Sequence, residues 1–177
     1  MYPYLRMFKE ILKFRQAPPL GAFDTHVSHH LCWPWDIDPW MELNNGRTLT
    51  LYDLGRLPMI ARVGLDRVAR DRGWGLAVAG ASVRYRGRIK TFDRIEMRTR
   101  MVGWDGRFVY VDQTMWVRGE CASQALIRTA ITQGKRGIVP PAEMAVALGL
   151  AADSPPLPGW VAAWADADAL RPWPPVG

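Results

Sequence analysis

Cysteine is nearly absent: Cys32 and Cys121 are the only two in 177 residues. Two are too few for a disulfide framework or a cysteine-only metal site. Long apolar runs are missing too. No stretch approaches the roughly 20 uncharged apolar residues of a spanning helix, which excludes a helical membrane span. Lysine is scarce: only Lys9, Lys13, Lys90 and Lys135 occur among 23 basic residues, and the rest are arginine. Histidine is confined to His26, His29 and His30. No apolar secretory leader is expected in the N-terminal segment, because Arg6, Lys9, Glu10 and Lys13 interrupt it. The expected compartment is therefore cytoplasmic, with free thiols.

What is present suits one domain with short extensions. The chain weighs 20.0 kDa, is 49% hydrophobic and has a mean hydropathy of −0.12. That is enough to bury a core without staples. The formal net charge is +6. Three readings compete for the arginines: a polyphosphate ligand, a nucleic acid, or plain surface charge. Aromatic residues do not interleave with basic ones in a nucleic-acid motif, so no nucleic-acid partner is expected.

Residues 3–14 predict a short amphipathic helix, with Leu5, Phe8, Ile11 and Leu12 on one stripe. It could touch a membrane surface. The expectation is that it packs on its own domain or on a partner subunit. Residues 24–33 read as a strand, followed by an aromatic, proline-rich loop from Trp33 to Trp40. Asn44 and Asn45 are good helix caps, and residues 46–63 carry helix-period apolar positions. Pro58 is expected to kink or divide that helix. A second short helix runs from Leu65 to about Arg72.

The period then changes. Residues 76–89, 94–104, 108–118 and 121–133 alternate as strands. Asp105-Gly106 signals a two-residue hairpin, and Gly119-Glu120 a second tight turn. A closing helix is expected at 140–149. From Asp153 onward the chain is proline-rich, with one short helix around Trp160–Leu170; Trp160, Trp164 and Trp173 suggest that this tail lies on the surface. The predicted organisation is an N-terminal extension (1–20), a domain (21–150) and a tail (151–177). One long helix wrapped by one antiparallel sheet is an α+β solution. A single sheet covers only one side of that helix, which favours pairing with a second copy.

Certain residues carry a resemblance. Asp36-Ile37-Asp38, Asn44-Asn45-Gly46-Arg47 and Asp53-Leu54-Gly55-Arg56 follow one another at fixed order. Later come Gly73-Trp74, Val83-Arg84-Tyr85-Arg86, Gly103-Trp104-Asp105 and Gly137-Ile138-Val139-Pro140-Pro141. The ordered set resembles the acyl-CoA thioesterase branch of the hotdog-fold superfamily, the 4-hydroxybenzoyl-CoA thioesterase type. The resemblance implies a long helix wrapped by a curved antiparallel sheet, a homodimer or homotetramer, and sites at the subunit interface. It implies that Asp38 is the base or nucleophile, and that amides at the helix start, Asn45 and Gly46, polarise the thioester carbonyl. It implies no cofactor beyond the coenzyme A of the substrate.

The residues themselves support part of this chemistry. A thioester is an activated acyl group, so one carboxylate suffices. A helix N-terminus offers free N–H groups and a favourable dipole. The histidines need no metal: His29 and His30 are adjacent and face opposite sides of a strand. Aspartate beside proline is equally ordinary turn chemistry, and Asp36 reads as a turn or support residue. Glu42 and Thr48 depart from the family, whose usual residues there are histidine and an aromatic. Glu42 places a second carboxylate four residues from Asp38; pointing into one site, the two would raise one pKa. Alternatively the change marks a non-catalytic acyl-thioester binding module. Arg84, Arg86, Arg88 and Lys90 recur at every second position, which on a strand puts them on one face for the nucleotide phosphates. Arg98 and Arg100 form a second such pair. Trp33, Trp35, Trp40, Tyr52 and Leu57 are candidates to line an acyl pocket.

Overall fold

The computed structural model describes residues 2–172, 174 and 175. The element order is α1 (Tyr4–Phe14), β1 (His26–Leu31), α2 (Asn45–Arg62), α3 (Leu65–Arg72), β2 (Gly75–Tyr85), β3 (Arg94–Trp104), β4 (Phe108–Val117), β5 (Glu120–Gln133), β6 (Gly137–Val139), α4 (Pro141–Ala147) and α5 (Gly159–Ala169). The sheet runs β1-β3-β4-β5-β2, antiparallel at every pairing. The short β6 adds to β5 at residues 131–133. This curled sheet around a long helix is the hotdog architecture.

Helix α2 starts where the asparagines predict. The Asn44 side chain accepts the amides of Gly46 (2.9 Å) and Arg47 (3.2 Å), satisfying two of the four donors a helix start leaves over. Its buried face presents Leu51, Tyr52, Leu54 and Met59 to Ile95, Met97, Val111, Met115 and Ile127 of the sheet. Each such side chain contributes about 1.5–3 kcal/mol when fully buried. The closest approach is at Gly55, where a Cβ would sit 2.5 Å from Met97 Sδ and 2.9 Å from Thr99 Oγ1. Pro58 does not divide the helix, which continues to Arg62. Packing of Met59 and Ile60 just beyond it offsets the lost backbone bond, a cost of about 3 kcal/mol.

Two turns differ from expectation. The 105–106 hairpin forms, but Trp104 pairs with Val109 and Gly106 does not adopt a left-handed conformation. The Asp105 carboxylate closes the loop instead, accepting the amides of Arg107 and Phe108 at 2.7 Å each. The second turn lies one residue earlier than expected: Arg118 (φ 54°) and Gly119 (φ 84°) are both left-handed and join the Val117–Glu120 pair. Strand β2 ends at Tyr85, not at 89, because the amides of Arg86 and Gly87 both turn onto the Ala122 carbonyl. Arg84, Arg86, Arg88 and Lys90 therefore do not form a row on one strand face.

The two extensions cover opposite faces. In β4, Val109, Val111, Met115 and Val117 point to the core as the alternation requires. Tyr110, on the other face, is buried as well, because the tail helix α5 lies over it. Val161 and Trp164 pack on Tyr110 and Leu126, and Asp168 pairs with Arg128 at 2.6 Å. Trp173 lies outside the described residues. At the other end, α1 packs on α2 and along β1. It is mounted with Arg6, Met7, Glu10 and Phe14 inward or half-buried, while Leu5, Phe8 and Leu12 face solvent. Of the stripe expected to pack on its own domain or on a partner subunit, Leu5, Phe8 and Leu12 are not packed on this domain. Among the described residues, no helix is long and apolar enough to cross a membrane.

Candidate active site

The loop from Asp36 to Asn44 is a closed unit. The Asp36 carbonyl accepts the Asn44 amide at 2.9 Å, and the Asp38 amide bonds the Glu42 carbonyl at 2.9 Å. A bridge joins Ile37 to Leu43 between them. Met41 sits at the tip with φ 62°, a conformation that costs energy for a residue with a side chain. This pairing sets Asp36 opposite Asn44 at the start of α2, with Asp38 two residues further out, opposite Glu42.

Asp36 supports this loop. It is fully buried, and its Oδ2 accepts Arg6 Nη1 at 2.6 Å and the Trp33 amide at 3.0 Å. Its Oδ1 lies 3.1 Å from Arg47 Nε. One carboxylate thus ties α1, the loop and the first turn of α2 together. Arg6 also donates to the Leu31 carbonyl at 2.9 Å. Asp36 has the support role expected of it. Neither Arg6 nor Arg47 was legible as its partner, because no spacing rule links residues so far apart along the chain.

Asp38 is half-buried. Its Oδ1 accepts the Trp40 amide at 2.9 Å and the Glu42 amide at 3.4 Å, and among the described residues its Oδ2 takes no hydrogen bond. The Glu42 carboxylate turns away from it to Arg88 Nε, 3.2 Å distant. The two acids share one turn, but the second is neutralised by a guanidinium and does not face the first.

The amides at the helix start divide. Gly46 N–H is occupied by the Asn44 cap, and Thr48 N–H by the Asn44 carbonyl. Among the described residues, Asn45 N–H makes no hydrogen bond. It is the free donor of the first turn, so Asn45 and not Gly46 has the amide available to a ligand. A groove of about 510 Å³ opens beside the helix start, lined by Tyr2, Trp35, Ile37, Asn44, Gly46, Arg47 and Thr50; neither Asp38 nor Asn45 is among its lining residues. The N-terminal extension supplies one wall of it. Burial first, then the charge of Asp53, pushes the Tyr2 hydroxyl up to about 12.

The remaining candidates scatter. Tyr52 is fully buried and bonded to Ser123 Oγ at 2.8 Å, so it belongs to the core of this protomer and not to a pocket wall. Trp40 is exposed at the loop tip. Arg84 lies on the outer sheet face, in a groove of about 310 Å³ with Ser82, Gln124, Leu126 and Trp160. Arg86, Arg88 and Lys90 lie on the β2–β3 connection, whose Ile89 carbonyl accepts the Leu43 amide at 2.8 Å. That contact brings Arg88 to the site and leaves Arg84 away from it. Arg98 pairs with Glu96 at 2.7 Å and lies over the Trp116 ring, and Arg100 pairs with Asp112 at 3.5 Å. Both are matched by acids already.

The histidines alternate as expected. His29 is exposed, while His26 and His30 are buried. Arg62 donates to His26 Nδ1 (3.0 Å), and His30 Nε2 bonds Ser28 Oγ (2.8 Å). Burial lowers His26 to about 4 and His30 to about 3, so both rings are neutral at pH 7.

A family model described as the thioesterase-like superfamily matches residues 32–165. Protein THEM6 of Xenopus laevis is 30% identical over 111 residues, covering 62% of this chain and 54% of the relative. Protein THEM6 of Drosophila melanogaster is 34% identical over 91 residues, covering 51% and 47%. The chain spans about half the length of these curated relatives. Among solved structures, the probable thioesterase YbaW of Escherichia coli aligns with a TM-score of 0.66 at 15% identity, covering 70% of this chain and 96% of that one. The Staphylococcus aureus protein SAV2348, solved in complex with CoA, aligns with a TM-score of 0.62 at 11% identity, covering 73% and 85%. At those identities the likeness is one of fold.

Proposed function

Because this chain belongs to the thioesterase-like superfamily, we propose that it hydrolyses an acyl-CoA thioester to a free carboxylic acid and coenzyme A. The observation that carries the reading is that the loop leading into α2 holds Asp38 with one uncommitted carboxylate oxygen, while the helix start leaves the Asn45 amide free. Asp38 either removes a proton from water or attacks the thioester carbon itself. In both cases the C–S bond breaks, the sulfur leaves as the CoA thiol, and water supplies the acid oxygen. The Asn45 N–H donates to the carbonyl oxygen as it becomes an oxyanion; one such donor contributes about 3 kcal/mol. The helix dipole acts in the same direction.

The nucleotide end is assigned to the loop cations Arg86, Arg88 and Lys90. The CoA bound to the Staphylococcus aureus protein of this fold supports that choice of ligand. A second copy would pair along β2, an edge strand of 11 residues, since long unpaired edges of low charge are normally covered. The test is thiol release from short, long and aromatic acyl-CoAs. Asp38→Asn is expected to lower turnover by about 10²–10⁴-fold while remaining folded. Undiminished turnover in that variant removes Asp38 from the chemistry.

One observation favours a second reading, a non-catalytic acyl-thioester binding module. Asp38 Oδ1 is engaged by its own loop amides, and Glu42 is tied to Arg88. In that case calorimetry detects acyl-CoA binding and no thiol is released.

A further inference from the structure

Helix α1 is mounted the wrong way round for a helix that ends against water. Its single acid, Glu10, is 2% exposed and its Oε2 has no hydrogen bond. Four of its apolar side chains are outside: Leu5 is 87% exposed, Leu12 65%, Tyr4 59% and Phe8 55%. Arg6 fixes this orientation by reaching inward to Asp36 and the Leu31 carbonyl. The outward arc holds no acidic residue and is bordered by the exposed Lys9 and by Lys13, whose side chain is 45% exposed with its ammonium 4.0 Å from Glu10 Oε2.

The patch continues beyond the helix. Tyr4 contacts the Tyr2 ring at 5.1 Å, and Tyr2 shares its groove with Trp35. Trp35 stacks on Trp33 at 5.1 Å, and Phe92 meets Trp33 edge-on at 6.4 Å. Trp35 is 64% exposed and Phe92 61%, with Lys90 exposed on the same loop as Phe92. Aromatic rings and lysines around an apolar helix face suit the boundary between lipid acyl chains and anionic headgroups. A second copy suits it less well, because two such faces would bring their cationic borders together.

We propose that this face seats the protein on an anionic lipid surface, with α1 lying in the plane of the interface. The face shares Lys90 and the Tyr2–Trp35 groove with the proposed substrate site, but its test reads vesicle binding and does not depend on turnover. The test is co-sedimentation of the full chain with phosphatidylcholine vesicles, with and without about 30% phosphatidylserine, at low and high salt. The expected result is at least roughly tenfold more protein on the anionic vesicles, reversed by salt. Two variants are compared, with melting curves to show that both fold. Leu5→Glu/Phe8→Glu/Leu12→Glu, at exposed positions, abolishes sedimentation. Lys9→Gln/Lys13→Gln retains weak binding and loses the anionic preference. No sedimentation of the wild-type chain overturns the proposal, as does undiminished sedimentation of the triple variant. If the triple variant instead halves the mass in solution and wild type ignores vesicles, the face belongs to a second copy.

Discussion

Replacing Asp36 and Asp38 in turn by asparagine separates scaffold from chemistry within one three-residue motif. Asp36 is fully buried and pairs with Arg6 at 2.6 Å and Arg47 at 3.1 Å. An asparagine in its place would keep the shape, but it removes the charge and points an NH₂ at one guanidinium. Breaking a buried pair from one side costs about 3–5 kcal/mol. Arg6 and Arg47 retain 16% and 20% side-chain exposure, so water takes back part of that and the lower end applies, about 3 kcal/mol. In a chain of this size each kcal/mol moves Tm by about 2–4 °C, so Asp36→Asn should melt roughly 10 °C lower. Asp38→Asn should stay within about 1 kcal/mol of wild type, because an amide oxygen still accepts the Trp40 N–H. Urea titrations with unchanged m-values, beside thiol-release assays, give both axes. The expected pattern crosses: Asp36→Asn loses stability, and Asp38→Asn loses turnover at full stability. A loss below about 1 kcal/mol in Asp36→Asn refutes the buried-anchor argument. Equal destabilisation by both refutes the division of roles.

Three further outcomes are expected. Gly55→Ala should gain up to about 1 kcal/mol of helix propensity but lose about 1–3 kcal/mol to overpacking against Met97 and Thr99; a rise in Tm would mean the α2–sheet contact is looser than described. Burial raises the Glu10 carboxyl, so its contribution is present below the unfolded pKa of about 4.5 and is lost as pH rises. Glu10→Gln should therefore raise Tm at pH 8 and leave it unchanged at pH 4, and the reverse order would contradict a buried, poorly partnered acid. His26 and His30 are lowered to about 4 and about 3, so the unfolded chain binds more protons between those values and about 6.5. Stability should hold above pH 6.5 and fall on acidification, with a shallower fall in His30→Gln; identical pH profiles for the two proteins would remove His30 from the linkage.

Much of the fold was legible because it is written in short periods. The stripe through Leu51 and Leu54 gives α2, Asn44 caps it as its side chain allows, and Val109 to Val117 alternate by the pleat of a strand. The ordered motifs around Asp36-Ile37-Asp38 and Asn44-Asn45-Gly46 placed the candidate site. Local pattern also anticipated α5, though not what it covers. Side-chain direction was not legible. Tyr52 lies on the α2 stripe whether it lines a pocket or fills the core, and only the seating of α2 on β5 gives its hydroxyl to Ser123. The spacing from Arg84 to Lys90 suits one face of a strand only while the strand lasts, and a bond to Ala122, far along the chain, ends it at Tyr85. Likewise Glu42 stands four residues from Asp38 in sequence but pairs with Arg88 across a loop contact.

The sequence by itself determined which segments form helices and strands and which acids stand in the loop before α2, since those depend on residues a few positions apart. Only the tertiary structure decided that Asp36 is a buried anchor and that α1 turns its apolar face outward. Each of these follows from pairings such as Arg6 with Asp36, whose partners meet only after the sheet has curled around the helix.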